Sequence, residues 1–208
     1  MTGPISVCDL EAVFSAGASD RAREWLAGAR RQVARDRDEL QILFPAAARA
    51  CGRAPLPHSD GWRTDDAARV LVLASMAWPV PRELRGLYDH GDADEKRAVL
   101  LALDFIDVGD GGLAIVEDAL RTNDTRLITA ALGRYGARRL TPSAYRQAIL
   151  KAVFCGIPLA AVSGLADRAD AELARMLDDF VRERSVAGRA VPDDVWLILA
   201  RFPRLRSS

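Results

Sequence analysis

The chain has 208 residues, half of them apolar, and its 29 basic residues are balanced by 29 acidic ones. This length and composition are typical of an ordinary globular protein with one domain and a sizeable core. Zero net charge gives no long-range attraction to a polyanion, which argues against nucleic-acid binding. The three cysteines form no CxxC pair, which argues against a disulfide framework or a zinc site.

Apolar residues recur at helical spacing along nearly the whole chain, whereas the alternating pattern of β-strands is absent. In chain order, this periodicity predicts helices at 9–17, 19–36, 38–51, 65–78, 81–90, 92–106, 111–122, 124–135, 142–155, 170–186 and 192–201. The predicted connections are short, which favours antiparallel packing of consecutive helices. We therefore predict an all-α protein of about 10 to 11 helices that forms a single domain over residues 1–208.

Two consecutive helix pairs, at 81–106 and 111–135, have similar lengths and short turns. Such pairs are typical of an α–α superhelix of the HEAT-like type, which is the architecture that we predict. No strict sequence repeat is readable, so a compact irregular bundle is the alternative. Between the third and fourth predicted helices, the segment 52–62 (GRAPLPHSDGW) is predicted to be the longest ordered loop.

The apolar stretch 148–166 has a single charge, Lys151, but Gly156 and Pro158 interrupt it after about two turns. We therefore predict a buried helix followed by a loop, and no transmembrane segment. The first residues lack the basic and apolar regions of a secretory signal, and we expect a reducing, cytoplasmic location. A peripheral contact of the apolar loop with the inner membrane is the alternative.

The predicted helix 142–155, which Thr141 is placed to cap, leaves Gln147 and Lys151 on a narrow strip between two apolar faces. A half-buried lysine at this position needs an acceptor for its ammonium group. One interpretation is an internal acidic partner, and the other is the carboxylate or phosphate of a ligand. On the following helix, which Asp170 is placed to cap, the charged residues fit a solvated face.

Arg121 and Asn123 lie at the predicted junction of two helices. Asn123 is a suitable N-cap, and Arg121 in the last turn of the preceding helix favours the helix dipole. Alternatively, Arg121 directs its guanidinium fork at an anion in a groove. No nucleophile or nucleotide-binding motif is present, and the histidines and acidic residues form no metal-binding pattern.

Several of these residues belong to motifs that closely resemble the EboA family, whose members are called metabolite traffic proteins. In the last third of the chain, the motifs are RTN at 121–123, LKA at 150–152, GIPL at 156–159, ELARML at 172–177, ER at 183–184 and AGR at 187–189, with Trp196 beyond them. Upstream and in the same order, the similar residues include Arg53, Trp62, Asp66, Arg69 and Glu95. The resemblance extends from about residue 44 to residue 196.

The resemblance implies a bacterial protein of secondary metabolism, encoded in gene clusters that move or mature precursors, with a membrane prenyltransferase-like protein among the neighbouring products. We predict a non-catalytic helical adaptor or binding protein without metal or cofactor, whose partners are a metabolite and other proteins of the cluster. The alternative is an enzyme that acts on a polar or prenylated metabolite intermediate held in one pocket. The predicted binding residues are Arg121, Asn123, Gln147, Lys151, Glu183, Arg184 and Arg189.

Overall fold

A computed structural model describes residues 6–57, 59, 61–76 and 81–203 of the chain. Within these residues the regular elements are α-helices and two short 3-10 helices, and one isolated β-bridge pairs Pro55 with Arg63. The all-α prediction is therefore confirmed for the described part of the chain. None of the described helices has both the length and the apolar character that crossing a membrane requires.

The chain divides into two compact units, Met1–Ile115 and Val116–Ser208. The first contains α1 (Val7–Gly17), α2 (Asp20–Arg35), a 3-10 helix (Arg37–Glu39), α3 (Leu40–Cys51), α4 (Thr64–Ala74), α5 (Pro81–His90) and α6 (Ala93–Ala102). Helix α7 (Leu113–Arg121) crosses the boundary. The second contains α8 (Thr125–Ala131), α9 (Arg134–Arg139), α10 (Pro142–Phe154), a 3-10 helix (Leu159–Ala161), α11 (Leu165–Arg168), α12 (Ala171–Val186) and α13 (Asp193–Leu199).

Helix α4 is the centre of the first unit. It is buried from Thr64 to Leu73, and α1, α2, α3 and α6 pack around it, while α5 packs on α6. The apolar run VLVL at 70–73 supplies the core contacts in its second half, where each buried side chain contributes about 1.5 to 3 kcal/mol. The first half carries charged residues into the same interior, which is unusual because buried charges are costly unless they are paired.

Helices α10 and α12 organise the second unit, and both begin where the sequence predicts. The backbone N–H of Ala144 donates to Thr141 Oγ1 at 3.2 Å, and that of Leu173 donates to Asp170 Oδ1 at 2.9 Å, so both predicted N-caps are confirmed. Their apolar stripes pack against each other, α10 also contacts α8, and α12 contacts α13.

One predicted helix is divided in the structure. Residues 124–135 were predicted as one helix, but α8 ends at Ala131 and α9 begins at Arg134 because Gly133 has an extended backbone with ψ of −171°. A Cβ on Gly136 would lie 2.0 Å from Ala131 O, so α9 folds back closely against the end of α8. The short helix α11 was not predicted, and residues 77 and 78 of the predicted helix 65–78 lie outside the described residues. The HEAT-like and single-domain arrangements stay predictions.

Gly17, at the end of α1, provides a test of the packing in the first unit. An added Cβ would lie 2.5 Å from Pro57 Cδ, so we expect Gly17→Ala to lower the free energy of unfolding by about 1 to 3 kcal/mol through overpacking. Gly28 in α2 has no heavy atom within 4 Å of an added Cβ, and Gly28→Ala should instead stabilise by about 0.5 to 1 kcal/mol through helix propensity. Urea denaturation measures both changes, and changes of the same sign would contradict the packing described.

Candidate functional site

The predicted binding residue Lys151 is half-buried in the second unit, where its Nζ donates to the backbone carbonyl of Leu120 at 2.7 Å. Leu120 lies in the last turn of α7, whose carbonyl oxygens have no partner within the helix. A lysine at a helix C-terminus is also favoured by the helix dipole. The acceptor is therefore a main-chain oxygen, and neither of the two partners considered from the sequence is the one observed.

Two of the predicted arginines also have local partners. Arg184 donates through Nε and Nη2 to Ala190 O at 3.0 and 2.8 Å, which closes the turn after α12. Arg121 donates to Asp118 Oδ1 at 2.8 Å on the surface of α7. These contacts join Arg121, Lys151 and Arg184 to three different partners. The other four predicted binding residues are exposed, namely Asn123, Gln147, Glu183 and Arg189.

Arg168 has the same kind of role in the second unit, although no binding role was predicted for it. Its guanidinium donates to the carbonyl oxygens of Ala137 and of Leu140, the latter at 2.9 Å, at the end of α9. The same group lies 4.2 Å from the centroid of the Tyr145 ring. Burial raises the pKa of the Tyr145 hydroxyl to about 12, and Arg168 partly opposes this rise. Cationic side chains in this unit thus hold helix ends in place.

The first unit contains a group of charged residues whose convergence was not predicted. We call it the buried ion network, and its members are Arg53, Arg63, Asp65, Asp66, Arg69, Asp94, Glu95 and Arg97. Asp65 and Asp66 lie in the first turn of α4, and both are 0% exposed. Four cations face four carboxylates, so the network is balanced in formal charge.

Asp65 and Arg69 form the innermost pair of the network. Arg69 is 1% exposed, and its Nη1 donates to Asp65 Oδ2 at 2.9 Å across one turn of α4. Its Nε donates to Phe44 O in α3 at 3.0 Å, and its guanidinium carbon lies 5.6 Å from the centroid of the Phe44 ring. A single arginine therefore joins α4 to α3 through an ion pair, a hydrogen bond and a cation–π contact.

Asp66 connects α4 to α6 and to the preceding loop. Its carboxylate accepts a hydrogen bond from Nη1 of Arg97 in α6, and its Oδ2 lies 3.3 Å from Arg63 Nε. Nη2 of Arg97 donates to Gly61 O at 2.8 Å. Arg97 is thus the bridge between a buried carboxylate and the main chain of the loop.

We call the described residues 52–57, 59 and 61–63 the strap, because this segment lies over the start of α4. Its backbone closes on itself, with the Leu56 N–H donating to Trp62 O at 2.9 Å and the Thr64 N–H donating to Ala54 O at 3.0 Å. The Thr64 hydroxyl donates to Gly52 O at 2.7 Å. The predicted loop 52–62 is therefore ordered where the structure describes it, although its residues 58 and 60 lie outside the described ones.

Burial governs the electrostatics of the network. It raises the pKa of the Asp66 carboxyl, an effect that Arg97 partly reverses and Asp65 increases. Because folding raises this pKa, ionised Asp66 lowers the free energy of unfolding at pH values above its pKa in the folded state. This loss disappears at pH values below its pKa in the unfolded state. Burial also raises the pKa of the nearby Cys51 thiol to about 12, and Asp65 adds to the rise.

The carboxylates of the network pair with arginines that also hold neighbouring elements in place. No group of three or more metal-binding side chains is found among the described residues, and arginines already occupy the carboxylates. Oδ1 of Asp65 and Oδ1 of Asp66 are buried without a hydrogen-bond partner in the described part of the chain. Each of these oxygens is able to accept one further hydrogen bond.

Four members of the network belong to the residues that resemble the family, but no site was predicted from them. They are Arg53, Asp66, Arg69 and Glu95. The available signal was the spacing of Asp65 and Arg69 by one helical turn in a helix that is apolar after Asp66 apart from Arg69. The partner Arg97 is 31 residues away from Asp66, and nothing in the local pattern indicates that pairing.

The contribution of a buried ion pair to the free energy of unfolding is testable by removing one carboxylate from each of two ion pairs with the same spacing. Asp65→Asn leaves a buried guanidinium without its nearest charge, so we expect the free energy of unfolding to fall by about 3 to 5 kcal/mol. Asp178 pairs with Arg182 at the same i,i+4 spacing and at 2.8 Å, but Arg182 is 64% exposed. Asp178→Asn should therefore cost less than about 1 kcal/mol. Equal losses in chemical denaturation would contradict the role given to burial.

The family comparison agrees with the resemblance seen in the sequence. The family model described as Metabolite traffic protein EboA matches residues 31–200, a range that includes the whole buried ion network and all seven predicted binding residues. No curated protein and no solved structure matches the chain. Because the match covers most of the 208 residues, the chain belongs to the EboA family of metabolite traffic proteins.

Proposed function

We propose that this protein is a non-catalytic helical adaptor or binding protein in the traffic and maturation of secondary-metabolite precursors. Membership of the EboA family supports the role in metabolite traffic. The non-catalytic part of the proposal rests on two hydrogen bonds. Lys151 donates to the carbonyl oxygen of Leu120, and Arg184 donates to that of Ala190. Donors that hold helix ends are not aimed at a substrate.

Apolar side chains at one end of the second unit support the docking of a partner. Phe154 is 55% exposed and Leu197 is 72% exposed. Helix α10, which ends at Phe154, and α13, which carries Leu197, both contact the 3-10 helix Leu159–Ala161. The Leu159 N–H donates to Asp194 Oδ2 at 2.6 Å, which ties this helix to α13. Exposed apolar side chains are typical of contact surfaces where they form a patch.

The remaining parts of the proposal follow from the family. The protein would act in the bacterial cytoplasm with other products of its gene cluster, among them the membrane prenyltransferase-like protein. The helices would form a single domain of HEAT-like type, and the apolar end of the second unit would contact a partner. The polar contacts to a metabolite would come from the exposed Asn123, Gln147, Glu183 and Arg189.

An enzyme acting on a polar or prenylated intermediate is the competing function. It requires Arg121, Lys151, Glu183, Arg184 and Arg189 to converge on one pocket. The contacts of Arg121, Lys151 and Arg184 with three different partners count against that convergence, so we retain the binding function.

Native mass spectrometry of the protein purified from its host tests the proposal. We expect a non-covalent complex with a metabolite or with a protein of the same gene cluster, and the metabolite should be recovered chemically unchanged after incubation with fresh protein. Arg189→Gln should reduce retention of a bound metabolite by removing an exposed cation. Arg182→Gln is the matched control, because Arg182 is exposed on α12 but pairs with Asp178.

Two outcomes would contradict the proposal. The first is recovery of neither a metabolite nor a cluster partner. The second is time-dependent conversion of the retained compound into a product of different mass, at a rate proportional to protein concentration, which would establish the enzyme instead.

A further inference from the structure

The first unit contains a cleft of about 210 Å³ between α1 and α2, with Leu71 of α4 at its base. Every other lining residue comes from positions 11–30, whereas the family match begins at residue 31. The cleft is therefore built by the segment that precedes the matched part of the chain. Its lining residues are all different from those of the buried ion network.

The helical spacing of small and large residues explains why the cleft is open. Ala27 lies on the face of α2 between Arg23 and Arg30, one helical turn from each, and Ser15 occupies the facing position on α1. These two short side chains leave space that larger residues would fill. The floor is apolar and consists of Phe14, Leu26 and Leu71, each of which is less than 10% exposed.

The rim of the cleft has two arginines and one glutamate among its lining residues, and each arginine pairs with a carboxylate, Arg23 with Asp20 and Arg30 with Glu11. Arg30 donates through Nη1 to Glu11 Oε1 at 2.5 Å, and its Nε and Nη2 make no hydrogen bond with other described residues. Arg23 is held in place by the carbonyl oxygens of Ser15 and Ala18, at 3.0 and 2.6 Å, and by Asp20. Arg30 therefore has two donors, Nε and Nη2, left for an anion.

We propose that this cleft binds a small monocyclic carboxylate, with the ring on the apolar floor and the carboxylate at the Nε and Nη2 donors of Arg30. A closed apolar cavity of about 150 Å³ is sufficient for benzene, so the volume of the cleft suits one ring with one short polar substituent. The planar guanidinium matches a carboxylate through two parallel hydrogen bonds. This inference goes beyond the proposed function, because it adds a binding site in the first unit to the polar contacts that the second unit would make with a metabolite.

Fluorine NMR titration of the full-length protein with 4-fluorobenzoate at low ionic strength tests the inference. We expect saturable binding of 4-fluorobenzoate and at least tenfold weaker binding of 4-fluorobenzyl alcohol, which keeps the ring but lacks the charge. Arg30→Gln should raise the Kd for 4-fluorobenzoate at least tenfold, and Ala27→Leu should abolish binding by filling the cleft. Arg31→Gln, at the exposed neighbouring position of α2, should change the Kd less than twofold.

Circular dichroism of each variant confirms that the helices are retained, and Ala27→Leu places a good helix former at an exposed helical position. Absence of saturable binding by the wild type would overturn the inference, as would a Kd unchanged by both Arg30→Gln and Ala27→Leu. If protein from the host still retains a metabolite or a partner when 4-fluorobenzoate does not bind, the cleft is excluded and the proposed function stands. Binding of 4-fluorobenzoate with the expected variant effects would support the cleft even if the proposed function failed.

Discussion

The burial of Asp65 and Asp66 at the start of α4 is the constraint on which the first unit depends. Two carboxylates without solvent exposure require compensation, since an unpaired buried charge costs several kcal/mol. Arg69 supplies it from the same helix, and Arg97 supplies it from α6. Because these arginines also bind Phe44 O and Gly61 O, compensating the charge fixes α3, α6 and the strap around α4.

Both units use their cations in a similar way, which bears on function. In the second unit, Lys151, Arg168 and Arg184 donate to carbonyl oxygens at or just beyond the ends of helices, where the helix leaves acceptors unsatisfied. These cationic side chains could suggest a polar active site in the sequence, but in the structure they stabilise the ends of helices. What remains for recognition is the exposed polar residues, the apolar end of the second unit and the cleft between α1 and α2.

Local patterns predicted the parts of this structure that local forces determine. The helical class and the caps at Thr141 and Asp170 follow from periodicity and capping chemistry. The break at Gly133 was not predicted, because a single glycine is compatible with a helix. In the structure the break accompanies the close approach of Gly136 to Ala131 O, which no local pattern indicates. The acceptor of Lys151 is a main-chain oxygen 31 residues away, and carbonyl groups have no sequence signature. The same separation hid the pairing of Asp66 with Arg97.

The ion network holds the strap, and amide hydrogen exchange of the Arg97→Met variant measures this dependence. This substitution removes the donors to Asp66 and to Gly61 O while keeping an apolar side chain of similar length. We expect at least tenfold faster exchange at the Leu56 and Thr64 amides, which are hydrogen-bonded within and next to the strap. Exchange in α12 should be unchanged. Unaltered protection of Leu56 and Thr64 in a folded variant would show that the strap does not depend on the network.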